Sequence, residues 1–228
     1  MKSGSTGKCF FCHGVFAKSA MTNHLKACKE RKALLAAPPQ EGKRLARKAT
    51  IYHIVVEGRE LPKYWMHLEA PEDSRLEDLD QFLRDTWLEC CWHLSGFTID
   101  ETTYESSPEP GIGQKGMKRK LGDVLEAGMK FYHEYDFGTT TELTLRVLSE
   151  RVGVAKGRSI QVLARNEPPA IVCVSCGKAA TQVCSECVWD GEGWLCDKCA
   201  SEHECGEEML LPAANSPRVG MCGYTGGG

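Results

Sequence analysis

The sequence lacks any long apolar segment. No run of about 18 apolar residues, the length that a membrane-spanning helix needs, occurs in its 228 residues. The amino terminus, MKSGSTGKCFFCHG, has no apolar core of the kind that secretory signals carry. We therefore expect a cytoplasmic protein that does not contact a membrane, in a compartment where thiols stay reduced.

Motifs for catalysis are also scarce. The sequence contains no phosphate-binding P-loop and no serine-nucleophile motif. This scarcity favours a non-enzymatic protein. One alternative is an enzyme of unknown reaction with a site in the middle of the chain, around His93, His133, Glu134 and Asp136. Another is a purely structural partner of a second protein.

Cysteine, in contrast, is abundant. The chain has 13 cysteines, an odd number that argues against a disulfide framework. Three Cys-x-x-Cys pairs lie between residues 173 and 205, and each such pair suits a single metal ion. Together with His203-x-Cys205 they supply ligands for two tetrahedral zinc sites. The predicted ligands are Cys173, Cys176, Cys184, Cys187, Cys196, Cys199, His203 and Cys205.

The spacing of these ligands resembles cross-brace zinc modules of the B-box kind, in which the pairs alternate. That resemblance implies that the first and third pairs hold one ion, and that the second pair joins His203 and Cys205 around the other. A sequential arrangement is the alternative, and Cys222 could replace Cys205 as a ligand. The segment has few apolar residues, so we expect the metal to supply most of its folding free energy.

A further zinc site is predicted near the amino terminus. Residues 9–28 contain the pattern Cys9-x2-Cys12-x11-His24-x3-Cys28, which resembles a ββα zinc finger in its Cys-Cys-His-Cys variant. His24 and Cys28 are four residues apart and would share one face of a helix. We expect this helix to begin near Ala20 and to extend to Pro38. Three structural zinc ions are thus predicted in all.

Charge is divided unevenly along the chain. Residues 1–50 hold eleven Lys/Arg and two Asp/Glu, residues 51–165 hold 14 and 20, and residues 166–228 hold three and nine. The net charges of these segments are +9, −6 and −6. A zinc finger with adjoining basic residues is typical of a nucleic-acid contact, although a solvated helix and linker would look the same. The expected partner is a macromolecule, either nucleic acid or protein.

The middle of the chain has a different pattern of apolar and polar residues. Residues 51–56 and 63–70 alternate like strands, and the capping box Ser74-x-x-Glu77 precedes an amphipathic helix. Several further strands follow, up to residue 165, so the predicted class is α+β with a mixed or antiparallel sheet. The predicted domains are a finger at 1–37, a basic linker at 38–49, the α+β domain at 50–165, a two-zinc module at 166–211 and a tail at 212–228.

Several segments of this α+β domain carry a family resemblance. The opening strand–strand–helix, WHLSGFTI (92–99) and LEAGMKFYHEYDFG (125–138) resemble the family named after the third open reading frame of a root-inducing plasmid of Agrobacterium. The tail NSPRVGMCGY (215–224) is similar to zinc-bearing relatives. The resemblance implies a compact α+β domain linked to plasmids and mobile elements, without a known catalytic apparatus. Thr139, Thr140 and Thr141 stand where that family commonly has an acidic residue and a tryptophan.

Overall fold

The computed structural model describes residues 4–37, 47–111, 113–155 and 159–227. This part of the chain is mostly sheet, with four α-helices, and it fits the predicted α+β class. The helices are α1 (Lys18–Ala27), α2 (Lys29–Ala36), α3 (Leu76–Leu83) and α4 (Asp197–Ala200). The strands of the larger sheet are β1 (Thr6–Cys9), β2 (Val15–Ala17), β3 (Arg47–Gly58), β4 (Trp65–Pro71), β5 (Ser95–Ile99), β6 (Thr102–Glu105), β7 (Lys115–Gly116), β8 (Lys130–Tyr135), β9 (Thr141–Ala155) and β10 (Gln161–Asn166). A smaller sheet contains β11 (Gln182–Cys184), β12 (Trp194–Leu195) and β13 (Leu210–Pro212).

The ten strands of the larger sheet follow the order β2-β1-β10-β4-β3-β9-β8-β5-β6-β7. Neighbouring strands are antiparallel except β6 and β7, which are parallel, so the sheet is mixed. The long pairing of β3 with β9 runs from Arg47↔Ala155 to Gly58↔Leu143 and forms its centre.

The main core lies between one face of this sheet and α3. Leu76, Leu79 and Leu83 recur at helical spacing, and all three are fully buried. They belong to the same apolar cluster as Ile54 and Val56 of β3, which are also fully buried. The helix begins later than the predicted Ser74–Glu77 capping box, because the Asp78 carboxylate accepts a hydrogen bond of 2.7 Å from the backbone N–H of Arg75.

The amino-terminal module is part of the larger sheet. β1 pairs with β10, starting at Gly7↔Asn166, and extends the sheet by two strands. Met21 and Leu25 of α1 share a buried cluster with Trp65 of β4. The sequence gives little sign of this arrangement, because the strand TGKC has no apolar alternation.

Two predicted boundaries in the amino-terminal region are wrong. The expected single helix breaks at Cys28, whose ψ of 119° is extended, and resumes as α2. The predicted linker overlaps β3, which begins at Arg47. The remainder of that linker, residues 38–46, lies outside the described residues.

The carboxyl-terminal segment folds around the smaller sheet, with β11 between β12 and β13. Val183 and Val219 join the main core and so fasten both this segment and the tail to the central domain. Among the helices that the structure describes, none is long and apolar enough to cross a membrane.

Candidate metal centres

Every cysteine in the chain belongs to one of four groups of potential metal ligands. All 13 cysteines are free thiols, and each group places four ligand atoms within 4.8 Å of one another. In a tetrahedral zinc site with Zn–S bonds of about 2.3 Å, neighbouring sulfurs lie about 3.8 Å apart. The groups could therefore hold metal ions without a large rearrangement.

The first group contains Cys9, Cys12, His24 and Cys28, in the amino-terminal module. Cys9 is the last residue of β1. Its carbonyl accepts a hydrogen bond from the backbone N–H of His13, in the turn that places Cys12 close to Cys9. His24 Nε2 lies 3.4 Å from Cys12 Sγ. Burial is the main cause that raises the pKa of Cys28 to about 11, so without a cation this thiol stays protonated at neutral pH.

The structure gathers Cys173, Cys176, Cys196 and Cys199 into the second group. The sulfurs of Cys176 and Cys196 lie 3.6 Å apart, much farther than the roughly 2.05 Å of a disulfide. Burial opposes the ionisation of Cys173, but backbone N–H groups of Cys196 and Cys176 donate to its sulfur and lower its pKa to about 6. Neighbouring sulfurs raise the pKa of Cys199 to about 12. One thiolate thus forms readily, and the full set ionises only with a cation present.

The third group contains Cys184, Cys187, His203 and Cys205. Cys187 Sγ lies 3.5 Å from both His203 Nε2 and Cys205 Sγ. Burial again opposes ionisation of Cys184, and backbone N–H groups of Cys187 and Glu186 lower its pKa to about 7. The second and third groups therefore interleave along the chain, in the alternating arrangement of a cross-brace rather than a sequential one.

The fourth group contains Cys90, Cys91, His93 and Cys222, none of which the spacing patterns identified as a joint site. From the sequence alone, a buried free thiol at a helix end is the default interpretation of Cys90 and Cys91, but the structure leaves Cys91 exposed. For Cys222, the sequence allows a role as a metal ligand in place of Cys205. The structure places Cys222 beside Cys91, at a sulfur–sulfur distance of 3.5 Å. A count of the cysteines points to this group. The three predicted sites use ten of the 13 cysteines, and the remaining three all belong to the fourth group.

The residues of the alternative enzyme site do not meet in one place. His133 is fully buried, and its Nε2 lies 2.8 Å from Asp80 Oδ1. Glu134 is opposite Glu142 on the next strand and, because side chains alternate, points to the other face of the sheet. Asp136 instead accepts a hydrogen bond from Arg218.

Among the described residues, the members of that set make only one contact with each other. It is a long one, of 3.5 Å, between His93 Nε2 and Asp136 Oδ2. A groove of about 600 Å³ opens elsewhere, where Val55, His67 and Arg146 line it together with the start of α1. The four residues of the alternative enzyme site therefore do not converge on one acid–base site in the described part of the chain.

Comparisons with known proteins give little further information. No protein-family model matches the chain, and no curated protein matches it. Among solved structures, the chain is similar to the protein of unknown function MM3350 from Methanosarcina mazei Go1, with 18% sequence identity and a TM-score of 0.44. The match covers 58% of this chain and 76% of that one.

Proposed function

We propose that this chain is a non-enzymatic, zinc-stabilised adaptor that binds nucleic acid through its amino-terminal module. The observation that carries the proposal is the number of ligands in each of the three sequence-predicted groups. Each offers four protein ligand atoms within 4.8 Å of one another. Four protein ligands complete a tetrahedral shell, whereas catalytic zinc keeps one position for water or substrate.

The ligand types support zinc as the ion. The three sites offer either four thiolates or three thiolates and one imidazole. Thiolate and imidazole together suit zinc, whereas magnesium and calcium prefer oxygen ligands. We place the protein in the cytoplasm, where reducing conditions keep such thiolates available.

The charge distribution supports nucleic acid as the partner. Lys18 forms an ion pair of 3.0 Å with Glu57, and Arg31 forms one of 2.6 Å with Glu69. These pairs hold α1 and α2 against the sheet. Lys26, Lys29 and Lys32 are exposed on the same two helices. A polyanion approaching the chain is attracted to these three lysines and repelled by the acidic remainder of the molecule.

The resemblance of residues 50–165 to the plasmid open-reading-frame family favours a particular biological setting for the adaptor. We place the protein among those associated with plasmids and mobile elements. In that setting an adaptor would join nucleic acid to another element-encoded protein. The central domain and the carboxyl-terminal module are the surfaces available for that second contact.

Fluorescence anisotropy with labelled duplex DNA and single-stranded RNA, measured over a series of salt concentrations, tests the nucleic-acid contact. We compare the wild-type chain with the triple variant Lys26→Gln/Lys29→Gln/Lys32→Gln. The matched control removes three exposed lysines from the central domain: Lys115→Gln/Lys118→Gln/Lys130→Gln. The first variant is expected to bind more weakly at every salt concentration and to lower the slope of log K against log[salt] by about 3, since each lost phosphate contact removes about one counterion.

The control is expected to leave both the affinity and the salt slope unchanged. Equal losses in the two triple variants, or no salt-sensitive binding by the wild-type chain, would reject the nucleic-acid contact and leave a protein partner as the favoured reading. Metal analysis of the purified chain tests the zinc part independently. A value near zero in protein purified without a chelator would reject it.

A further inference from the structure

The fourth ligand group joins two segments that are far apart in the sequence. Cys91 Sγ lies 2.9 Å from His93 Nε2 and 3.5 Å from Cys222 Sγ, across a sequence separation of 131 residues. His93 Nε2 lies 3.2 Å from Cys222 Sγ, and Cys90 Sγ lies 3.6 Å from Cys91 Sγ. Three sulfurs and one imidazole nitrogen thus converge on a common centre.

The backbone is adapted to this convergence. Trp92 has a φ of 65° and Cys222 a φ of 46°, both in the left-handed region that non-glycine residues seldom adopt. The Trp92 conformation is supported by Glu89, whose carboxylate accepts a hydrogen bond of 2.5 Å from the Trp92 backbone N–H. Strained residues of this kind persist only where surrounding contacts hold them, and they are often found at binding sites.

We propose that Cys90, Cys91, His93 and Cys222 form a fourth metal site, which takes zinc or a similarly thiophilic cation and holds the tail on the central domain. The ligand set is the same as that of the first and third groups, namely three cysteines and one histidine. This inference goes beyond the adaptor function, because it holds whatever the macromolecular partner is.

The charge around the site suits a thiolate-rich centre. Three thiolates around a dication leave one net negative charge. The buried guanidinium of Arg218 lies 3.5 Å from Cys90 Sγ and supplies a positive charge beside it. Arg218 also donates to Asp136 Oδ2 at 2.6 Å, so the guanidinium is itself held in place beside the Cys90 sulfur. Contacts around the ligands of a metal site commonly fix its geometry in this way.

The fourth site differs from the other three in its exposure and in its role. Cys91 and Cys222 are exposed, and none of its four ligands is buried, whereas each other group has at least one buried cysteine. An exposed centre exchanges its ion with chelators and other proteins more readily than a buried one. Its ion does not build a small module, because the tail is already docked through Arg218 and through Ser216, whose hydroxyl donates to the carbonyl of Trp87 at 2.6 Å.

The ion instead closes a long loop. The segment between Cys91 and Cys222 includes β8, β9, β10 and both carboxyl-terminal metal groups. Cross-links that close long loops restrict the unfolded chain more than those that close short ones. Gain or loss of this ion therefore sets how firmly the tail stays in place, while the other three centres keep their ions.

Native mass spectrometry of the full chain tests the site. The wild type is expected to carry four zinc ions, and the variant Cys91→Ser/Cys222→Ser three. The matched control, Trp92→Asn/Met221→Leu, changes the neighbours of the same two ligands and is expected to keep four. A wild-type count of three would overturn the fourth site while leaving the adaptor proposal intact. A count of four in the Cys91→Ser/Cys222→Ser variant would also overturn it.

A second measurement uses only the wild-type chain and does not depend on how a variant folds. Iodoacetamide labelling, followed by peptide mapping, is performed on the zinc-loaded chain before and after addition of EDTA. Cys91 and Cys222 are expected to be protected while zinc is present and to be the first cysteines labelled after EDTA is added, before Cys9 and Cys173. Equal labelling of Cys91 and Cys222 with and without EDTA would overturn the proposal.

Discussion

The guanidinium of Arg218 lies 2.6 Å from the carboxylate of Asp136, and both side chains are buried. This pair joins the end of β8 to the tail, 82 residues later. Asp136 itself has a φ of 64°, and its other carboxylate oxygen accepts a hydrogen bond from the Gly138 backbone N–H. Asp136 therefore contributes both to the turn after β8 and to the docking of the tail.

Replacement of Arg218 with methionine is expected to lower the free energy of unfolding by about 3 kcal/mol, because it leaves the buried Asp136 without its charged partner. The control is Arg59→Met, which breaks an ion pair with Glu142 whose arginine is 47% exposed and which should cost less than about 1 kcal/mol. Chemical denaturation at a fixed zinc concentration measures both. Similar losses in the two variants would contradict the assigned role of Arg218.

Acidification is expected to destabilise the chain through two buried histidines. His53 Nε2 lies 3.0 Å from His67 Nδ1. Burial, reinforced by the positive charge of Arg31, lowers the pKa of His53 to about 4, and burial together with His53 lowers that of His67 to about 3. Between these values and the ordinary pKa of about 6.5, the unfolded chain binds more protons than the folded chain. Stability therefore falls as the pH decreases from about 6.5 towards about 4.

Acid-induced loss of metal affects the wild type and the variant His67→Gln alike. A comparison of the two proteins therefore isolates the effect of protonating the buried histidine. His67 alone is expected to contribute about 2 kcal/mol of acid destabilisation at pH 5 relative to pH 7.5. The stability of the wild type relative to His67→Gln should therefore fall by about that amount between the two pH values. Chemical denaturation at both pH values measures this difference, and an unchanged difference would argue against the buried neutral pair.

Removal of metal is expected to unfold the carboxyl-terminal module and to leave the main sheet folded. The described regular structure of the module is limited to the short strands β11, β12 and β13, the four-residue helix α4 and short 3-10 turns, and its apolar cluster consists largely of cysteines from the second and third groups. The main core instead contains many fully buried aliphatic and aromatic side chains. Hydrogen exchange with EDTA should show lost protection in residues 173–205 and retained protection in β3 and β9. Zinc-saturated EDTA is the control, and a uniform loss over the chain would contradict the prediction.

Replacement of Trp65 with alanine is expected to detach the amino-terminal module. Trp65 of β4 is fully buried in one cluster with Met21 and Leu25 of α1, and its indole N–H donates to Ser5 Oγ at 2.9 Å. Loss of a buried tryptophan costs about 3–5 kcal/mol. Limited proteolysis should then cleave within α1 faster than in the wild type, in which Met21 and Leu25 of this helix are buried. The matched control is Trp92→Ala, since Trp92 is 83% exposed and its loss should change stability by less than about 0.5 kcal/mol.

Local patterns in the sequence predict much of the central sheet and all the residues that the structure gathers into three of the four groups of potential metal ligands. The alternation in residues 51–56 and 63–70 corresponds to β3 and β4, and LEAGMKFYHEYDFG contains β8. Cys-x-x-Cys spacing identifies metal ligands because both cysteines of a pair lie in one turn. Such features depend on residues close together in the chain, so the sequence displays them directly.

The remaining features depend on contacts between distant residues. Cys222 meets Cys91 only because the tail folds back over the central domain, and no spacing rule contains that information. β1 becomes a strand by pairing with β10, although its own residues have no strand pattern. The break at Cys28 has a similar origin, because its buried side chain belongs to the cluster that includes Trp65 of β4.

The pairing of β1 with β10 has a consequence for how this protein is synthesised. The ligands of the first group, Cys9 to Cys28, leave the ribosome well before β10, which follows them by more than a hundred residues. In the folded protein, Trp65 and Leu163 cover Met21 and Leu25. These two residues of α1 therefore stay uncovered until Trp65 and Leu163 have emerged and folded. The nascent chain therefore exposes an apolar surface of α1 until β4 and β10 have emerged and the sheet closes.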